Sequence, residues 1–112
     1  MSCIFCAIRD KKIPANIVFE NDEILAFYDI TPQAPTHILV IPKKHILSIL
    51  EINQNDVTLL GNIIRTIQEI ALKLNLENGF RVVANTGEEG GQTVGHLHFH
   101  LLAGRLLHWP PG

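Results

Sequence analysis

Residues His96-Leu97-His98-Phe99-His100-Leu101-Leu102 alternate between histidine and an apolar residue as far as Leu101. In an extended chain successive side chains leave on opposite faces. The run therefore predicts a strand with three imidazoles on one face and Leu97, Phe99 and Leu101 on the other. The apolar face can pack on a core, and the histidine face looks into a site. An amphipathic strand that merely uses histidine at its polar positions is the plain alternative, and three in register stand against it. The chain has six histidines in 112 residues, so half of them fall in this one segment.

The rest of the chain supplies what such a strand can pair with and pack on. Ile17 to Glu20 and Glu23 to Tyr28 are strand candidates joined by Asn21-Asp22, a hairpin signal. Pro32 and Pro35 make Asp29 to Pro35 a loop, and His37 to Pro42 is the most β-branched run after it. From Asn55, Val57, Leu60, Ile64, Ile67, Ala71 and Leu74 recur at spacings of three and four, with Ile63 and Ile70 widening the stripe, which predicts one long helix. Asn55 is the expected N-cap, Asp56 favours the positive end of the dipole, and Asn78-Gly79 is the expected stop. Phe80 to Asn85 is a fourth strand and His96 to Leu102 the fifth. Strands grouped before and after a helix, rather than alternating with it, point to an α+β domain with a largely antiparallel sheet, not a doubly wound one. No repeat or linker divides the chain, so residues 1–112 are read as a single domain.

With 46% hydrophobic residues the chain can fill one core, and a net charge of −2 argues against a phosphate-neutralising nucleic-acid face. No apolar run reaches the roughly 18 residues of a membrane span, and Met1 to Arg9 is too short and too early charged for a signal peptide. Two cysteines spaced Cys3-x-x-Cys6 then suggest a reducing, cytoplasmic setting and metal or redox chemistry before a structural disulfide.

Three aligned histidines admit two kinds of chemistry. One is an open three-histidine metal site, but side chains two residues apart on a strand start roughly 6.6 Å apart and the outer pair about 13 Å apart, so convergence on one ion is difficult. The other is nucleophilic and acid–base catalysis, for which imidazole suits phosphorus and acyl centres near neutral pH. The preceding loop supports the second. Gly87, Gly90 and Gly91 let backbone amides approach an anion, and Asn85, Gln92 and Thr93 add donors, although Glu88 and Glu89 would repel phosphate.

The segment 96–102 resembles the His-φ-His-φ-His-φ-φ signature (φ apolar) of the histidine-triad, or HIT, nucleotide-binding proteins. Phe27 to His37, Ile41 to His45, Asn85-Thr86-Gly87, Gly90 to Thr93 and the terminal His108-Trp109-Pro110-Pro111-Gly112 are similar to the Hint branch of that family, so the resemblance spans nearly the whole chain. It implies a HIT-like fold: an antiparallel sheet of about five strands with one long helix and a short N-terminal helix. It also implies hydrolysis of the P–N bond of adenosine 5′-phosphoramidates through a nucleotidyl-histidine. Carried over by position, His98 would be the nucleophile, His100 would hold phosphate oxygens, His37 would orient or relay protons, and His96 completes the triad. Asn85, Gln92 and Thr93 would contact phosphate or leaving group, and Asp29 the ribose. Phe5, Ile8, Ile13, Phe27 and Ile30 would wall the base, with core packing as their plain alternative, and Trp109 would shape the leaving-group side. Tyr28 and Gly95 depart from close Hint relatives, which often carry His and Tyr there.

Cys3 and Cys6 keep three readings: a redox pair, two small buried residues in an N-terminal helix, or half of a metal site. The resemblance implies the third, a closed structural zinc site of Cys3, Cys6, His45 and His96. It further implies a homodimer through the long helix and a shared sheet edge, and the breadth of apolar surface at Ile63, Ile64, Ile67 and Ile70 agrees with that. The rivals to a phosphoramidase are a dinucleoside polyphosphate hydrolase or nucleotidyl transferase, a non-catalytic nucleotide-binding regulator, and a zinc hydrolase built on the triad.

Overall fold

The computed structural model describes residues 3–112; Met1 and Ser2, the start of the segment read against a signal peptide, lie outside the described residues. A short helix α1 (Ile4–Arg9) leads into strands β1 (Ile17–Glu20), β2 (Ile24–Tyr28) and β3 (Thr36–Pro42). Two 3-10 turns, Ile49–Glu51 and Gln54–Asp56, precede the long helix α2 (Val57–Lys73), and β4 (Arg81–Val83) and β5 (Phe99–Ala103) follow. The five strands form one antiparallel sheet in the order β1-β2-β3-β5-β4, which places β3 and β5 side by side at its centre. The architecture is the α+β one read from the strand and helix pattern.

The sheet is apolar on both faces. Ile24, Ala26, Ile38, Val40, Phe99 and Leu101 meet Leu59, Ile63, Ile67 and Ile70 of α2 on one face. On the other, Leu25, Phe27, Leu39 and Ile41 meet Phe5 and Ile8 of α1. His37 alternates with the first set along β3, and His100 lies opposite Leu39, so both share the α1 face.

Several boundaries differ from those read in the sequence. The ladder of β5 starts at Phe99, because Leu97 turns its amide to the carbonyl of Ile46 (2.6 Å) instead of a strand partner. The alternation survives regardless: Leu97, Phe99 and Leu101 are buried in the α2-side core. The fourth strand is limited to three residues, with Phe80 exposed before it. Asn55 is not the N-cap: Asn53 caps the 3-10 turn Gln54–Asp56 in a capping box with Asp56, and that turn runs directly into α2, whose own N-cap is Asp56. Asp56 is buried and carries an ion pair to Lys44 (2.7 Å). The helix ends at Lys73, before Asn78-Gly79. Asn75 takes φ +57° there, while the amide of Leu76 returns to the carbonyl of Ala71 (2.9 Å). The core-facing stripe is Leu59, Ile63, Ile67 and Ile70, whereas Val57 and Ile64 remain 57% and 55% exposed. Two neighbouring lines of α2 are apolar, and periodicity does not say which one meets the sheet.

Candidate active site

Backbone groups set the protonation pattern of the histidine face. The amide of Gln33 donates to Nδ1 of His37 (3.0 Å). An amide can only donate, so Nδ1 holds a lone pair, His37 is neutral and its proton sits on Nε2. That Nε2 faces Nδ1 of His100 at 2.9 Å, with a carboxylate oxygen of Asp29 at 3.5 Å. His100 therefore accepts on Nδ1 and carries its own proton on Nε2, which is buried and has no hydrogen-bond partner among the described residues. Burial, with His98 and His37 as further causes and Asp29 opposing, depresses the pKa of His100 to about 4; burial likewise lowers that of His37, against Asp29.

His98 is held the opposite way round. Its Nδ1 donates to the carbonyl of His96 (2.7 Å), which leaves the lone pair on Nε2. Its ring stands 4.9 Å from that of His100 and 5.1 Å from that of Phe5, edge to face in both cases. A free imidazole lone pair beside an unpartnered imidazole N–H is a nucleophile next to an anion donor.

His96 turns away from this pair. Its Nε2 donates to the carbonyl of Pro42 (2.8 Å), and its Nδ1 lies 3.4 Å from Sγ of Cys3, 3.6 Å from Sγ of Cys6 and 3.1 Å from Nδ1 of His45. Sγ of Cys6 is 3.2 Å from Nδ1 of His45. A tetrahedral zinc with ordinary Zn–S and Zn–N bonds needs donor separations of about 3.3–3.8 Å. The separations above come within a few tenths of an ångström of that, and all four ligand atoms lie within 4.8 Å of one another, so these side chains are compatible with that ion. The Pro42 carbonyl leaves Nδ1 of His96 as its free ligand atom, the usual outer support of a metal-bound histidine. Asp29, His37 and His100 also lie close enough to be counted as a ligand set. The amide on His37 Nδ1 keeps the proton on Nε2, so that trio is built as a hydrogen-bonded relay.

The family model of the HIT domain matches residues 10–107. The chain belongs to the HIT domain family. It is 54% identical over 109 residues to an uncharacterized HIT-like protein of Synechococcus elongatus, covering 97% of this chain and 96% of that one. It superposes on the crystal structure of a HIT family hydrolase from Legionella pneumophila with a TM-score of 0.97 at 52% identity, over 99% and 100% of the two chains. A histidine triad nucleotide-binding protein from Candida albicans matches with a TM-score of 0.83 at 32% identity, over 97% and 83%.

Within this HIT domain the other residues singled out from sequence scatter more than the histidines do. Phe5, Ile8 and Phe27 are buried in the α1-side core, with the Phe5 and Phe27 rings 5.5 Å apart. Ile13 is 38% exposed and Ile30 93% exposed. Asp29 accepts from the amide of Thr31 (2.8 Å) while its second oxygen faces His37. Asn85 is half-buried two residues beyond β4, and Thr93 is exposed. Gln92 braces the loop: its carbonyl takes the amide of Gly87, and its amide group donates to the carbonyls of Leu47 and Val94. Trp109 is 80% exposed, after a segment tied down where Arg81 donates to the carbonyl of His108 (3.0 Å). The groups that sequence reading missed are the Gln33 amide and the Pro42 and His96 carbonyls. Main-chain groups occur at every position, so no residue pattern marks them.

The depressed histidines make the domain acid-sensitive in a defined window. A base whose folded pKa lies below its unfolded 6.5 is protonated first in the unfolded chain, so stability is full above about pH 6.5 and falls toward pH 4. Each such proton contributes a slope of about 1.4 kcal/mol per pH unit. Urea midpoints should fall between pH 7 and 4.5, and less steeply in His100→Gln. Equal slopes in the two proteins would show that His100 is not buried in its neutral form.

Proposed function

We propose that the protein hydrolyses the P–N bond of adenosine, or more broadly purine nucleoside, 5′-phosphoramidates through a nucleotidyl group on His98, releasing AMP and an amine. The observation that carries this reading is the pairing of a lone pair on His98 Nε2 with the buried, unpartnered Nε2–H of His100. A buried donor without a partner costs about 1–3 kcal/mol, which a non-bridging phosphate oxygen would recover on binding. In the first step His98 Nε2 bonds to phosphorus and the P–N bond breaks. The nitrogen leaves with that electron pair and takes a proton from solvent. The ring becomes cationic with its Nδ1–H still on the His96 carbonyl, which favours that charge. In the second step water attacks phosphorus, the bond to His98 breaks, Nε2 regains its pair, and the water proton returns to solvent. His37 holds His100 in its donor tautomer throughout.

Asp29, beside the histidine pair, would take the ribose hydroxyls, and Phe5, Ile8, Phe27, Ile13 and Ile30 would border the base. Asn85, Thr93 and Gln92 would line the phosphate side, Gln92 by shaping the loop. Cys3, Cys6, His45 and His96 would hold a structural zinc. When bound, that ion supplies a cross-link between α1 and the histidine segment, and the chemistry at phosphorus remains with imidazole. The nucleotide-binding name of the Candida albicans relative supports a nucleotide as substrate. A homodimer would cover Val57, Ile64 and Leu72 of α2 together with Phe80 and Val82 at the β4 edge, all of them exposed apolar side chains. Trp109 would then reach the leaving-group side through the assembly. Among the described residues no helix is long and apolar enough to cross a membrane, and reduced cysteines suit the cytoplasm.

The reading is tested by a substrate panel. An adenosine 5′-phosphoramidate should be turned over with a kcat/KM at least tenfold above a dinucleoside polyphosphate or a nucleotide sugar. Preference for the dinucleoside polyphosphate would move the chain to the rival hydrolase activity, and binding without turnover of any of them would make it a nucleotide-binding regulator.

A further inference from the structure

We infer that Arg105, exposed at the far end of β5, is a positioning residue that sets the tautomer of His37 through the main chain of Gln33. Both Nε and Nη2 of Arg105 donate to the carbonyl of Gln33, at 3.1 and 3.0 Å. The amide of the same residue is the group that occupies Nδ1 of His37 (3.0 Å). Gln33 sits in the Asp29 to Pro35 loop between two prolines, neither of which has an amide to offer in its place. The turn carrying Arg105 is built to hold that loop. Gly104 takes φ +99°, and a Cβ there would stand 2.8 Å from Cβ of Pro35, so turn and loop touch with no room for a side chain between them. Ala103 and Thr36 pair directly alongside, which brings both segments to the same end of the central strand pair.

The hydrogen bonds run in one direction, from Arg105 to the Gln33 carbonyl, from the Gln33 amide to His37, and from His37 to His100. A guanidinium fork on one carbonyl oxygen restricts rotation of the Gln33 segment more than a single donor does. Without it the amide can leave His37 Nδ1. The ring's single proton can then sit on Nδ1 in place of Nε2, and in that tautomer His37 presents a lone pair, not a proton, to His100. Asp29 on the loop and His100 on β5 are the titratable groups that face His37 and would follow the change.

This inference rests on the proposed role of the His37–His100 pair, and its test separates the two. In protein free of substrate, the ring nitrogens of His37 are observed by nitrogen-15 NMR in wild type, Arg105→Ala and Arg105→Lys, alongside kcat and KM for an adenosine 5′-phosphoramidate. Wild type should show a lone pair on Nδ1 and a proton on Nε2. Arg105→Ala should show a mixture of tautomers and a kcat lowered roughly tenfold with KM within about twofold, since small misplacement of a reacting group has effects of this size. Arg105→Lys should recover part of both. Unchanged His37 signals in Arg105→Ala would overturn the inference whatever the activity. Altered signals with unchanged kcat would leave Arg105 controlling His37 but remove that pair from the reaction. A loss of β5 amide signals in Arg105→Ala, with the His37 tautomer intact in Arg105→Lys and kcat still at the wild-type value, would also count against it, by showing that the fork is not needed.

Discussion

Replacing His98 with alanine is expected to lower turnover of an adenosine 5′-phosphoramidate by at least about a thousandfold while nucleotide affinity stays within a few-fold of wild type. Under the proposed mechanism, loss of the attacking nitrogen removes the covalent route altogether, and a neighbouring imidazole cannot substitute. His100 Nδ1 is engaged by His37, and its Nε2 carries a proton. His96 has one nitrogen on the Pro42 carbonyl and the other among Cys3, Cys6 and His45. The binding groups proposed for base and ribose lie on α1 and the segment after it, and on β2 and the loop after it, and the substitution leaves them in place. Mass spectrometry of briefly incubated wild-type protein, without acid, should show an AMP-sized adduct on His98 that is missing from His98→Ala. Turnover near the wild-type rate in the variant would overturn the mechanism.

Cys3→Ser should have the largest effect on stability. Under the proposed metal assignment, wild-type protein purified without a His-tag or added metal contains about one zinc per chain, and the variant well below that. Structural zinc contributes on the order of 10 kcal/mol to small peptides; here a formed sheet shares the load, so Tm should fall by more than about 10 °C without global unfolding. Cys3 is also the N-cap of α1, its Sγ accepting from the amide of Cys6 (3.4 Å). A serine keeps a capping oxygen, which isolates the loss of the metal ligand. Activity should fall only in part. His98 and His100 remain, but the His96 carbonyl that holds His98 belongs to a residue that has lost a neighbour on its ring. A wild-type protein that lacks zinc and has both thiols freely alkylated in the native state would leave Cys3 and Cys6 as packing residues. Removal of zinc by chelation should not stop turnover at once while the protein stays folded, because in the proposed mechanism imidazole is the attacking group.

How much could be read beforehand differs from one residue to the next. The alternation from His96 to Leu101 was enough to separate an imidazole face from an apolar one, and it held even where the backbone of 96–98 left the ladder. Side-chain period belongs to the extended conformation itself and does not require a partner strand. On α2 the period gives an apolar stripe but not its orientation: Val57 and Ile64 belong to the stripe and are exposed, while Ile63, Ile67 and Ile70 meet the sheet. A helix with two adjacent apolar lines has two equivalent phases, and the sheet beneath it decides between them. Its position in a glycine-rich loop marks Gln92 as a candidate on the phosphate side. The fold adds that its side-chain carbonyl accepts from the amide of Gly87 and its Nε2 donates to the carbonyls of Leu47 and Val94, a use that depends on the loop's closing over residue 47.

The α+β class, the single long helix, the three aligned histidines and the Cys-x-x-Cys pair follow from residue type and local period, and the family from the resemblance of whole motifs. The three different surroundings of the three histidines arise in the folded chain alone. His96 is gathered with Cys3, Cys6 and His45, residues at least 51 positions away. His98 is turned by a main-chain carbonyl, and His100 by a ring that is itself set by the amide of Gln33. The three side chains are chemically identical in the sequence. What distinguishes a candidate metal ligand, a lone-pair donor and a proton donor is which nitrogen carries the hydrogen, and that is fixed by backbone groups that meet only when the chain has folded.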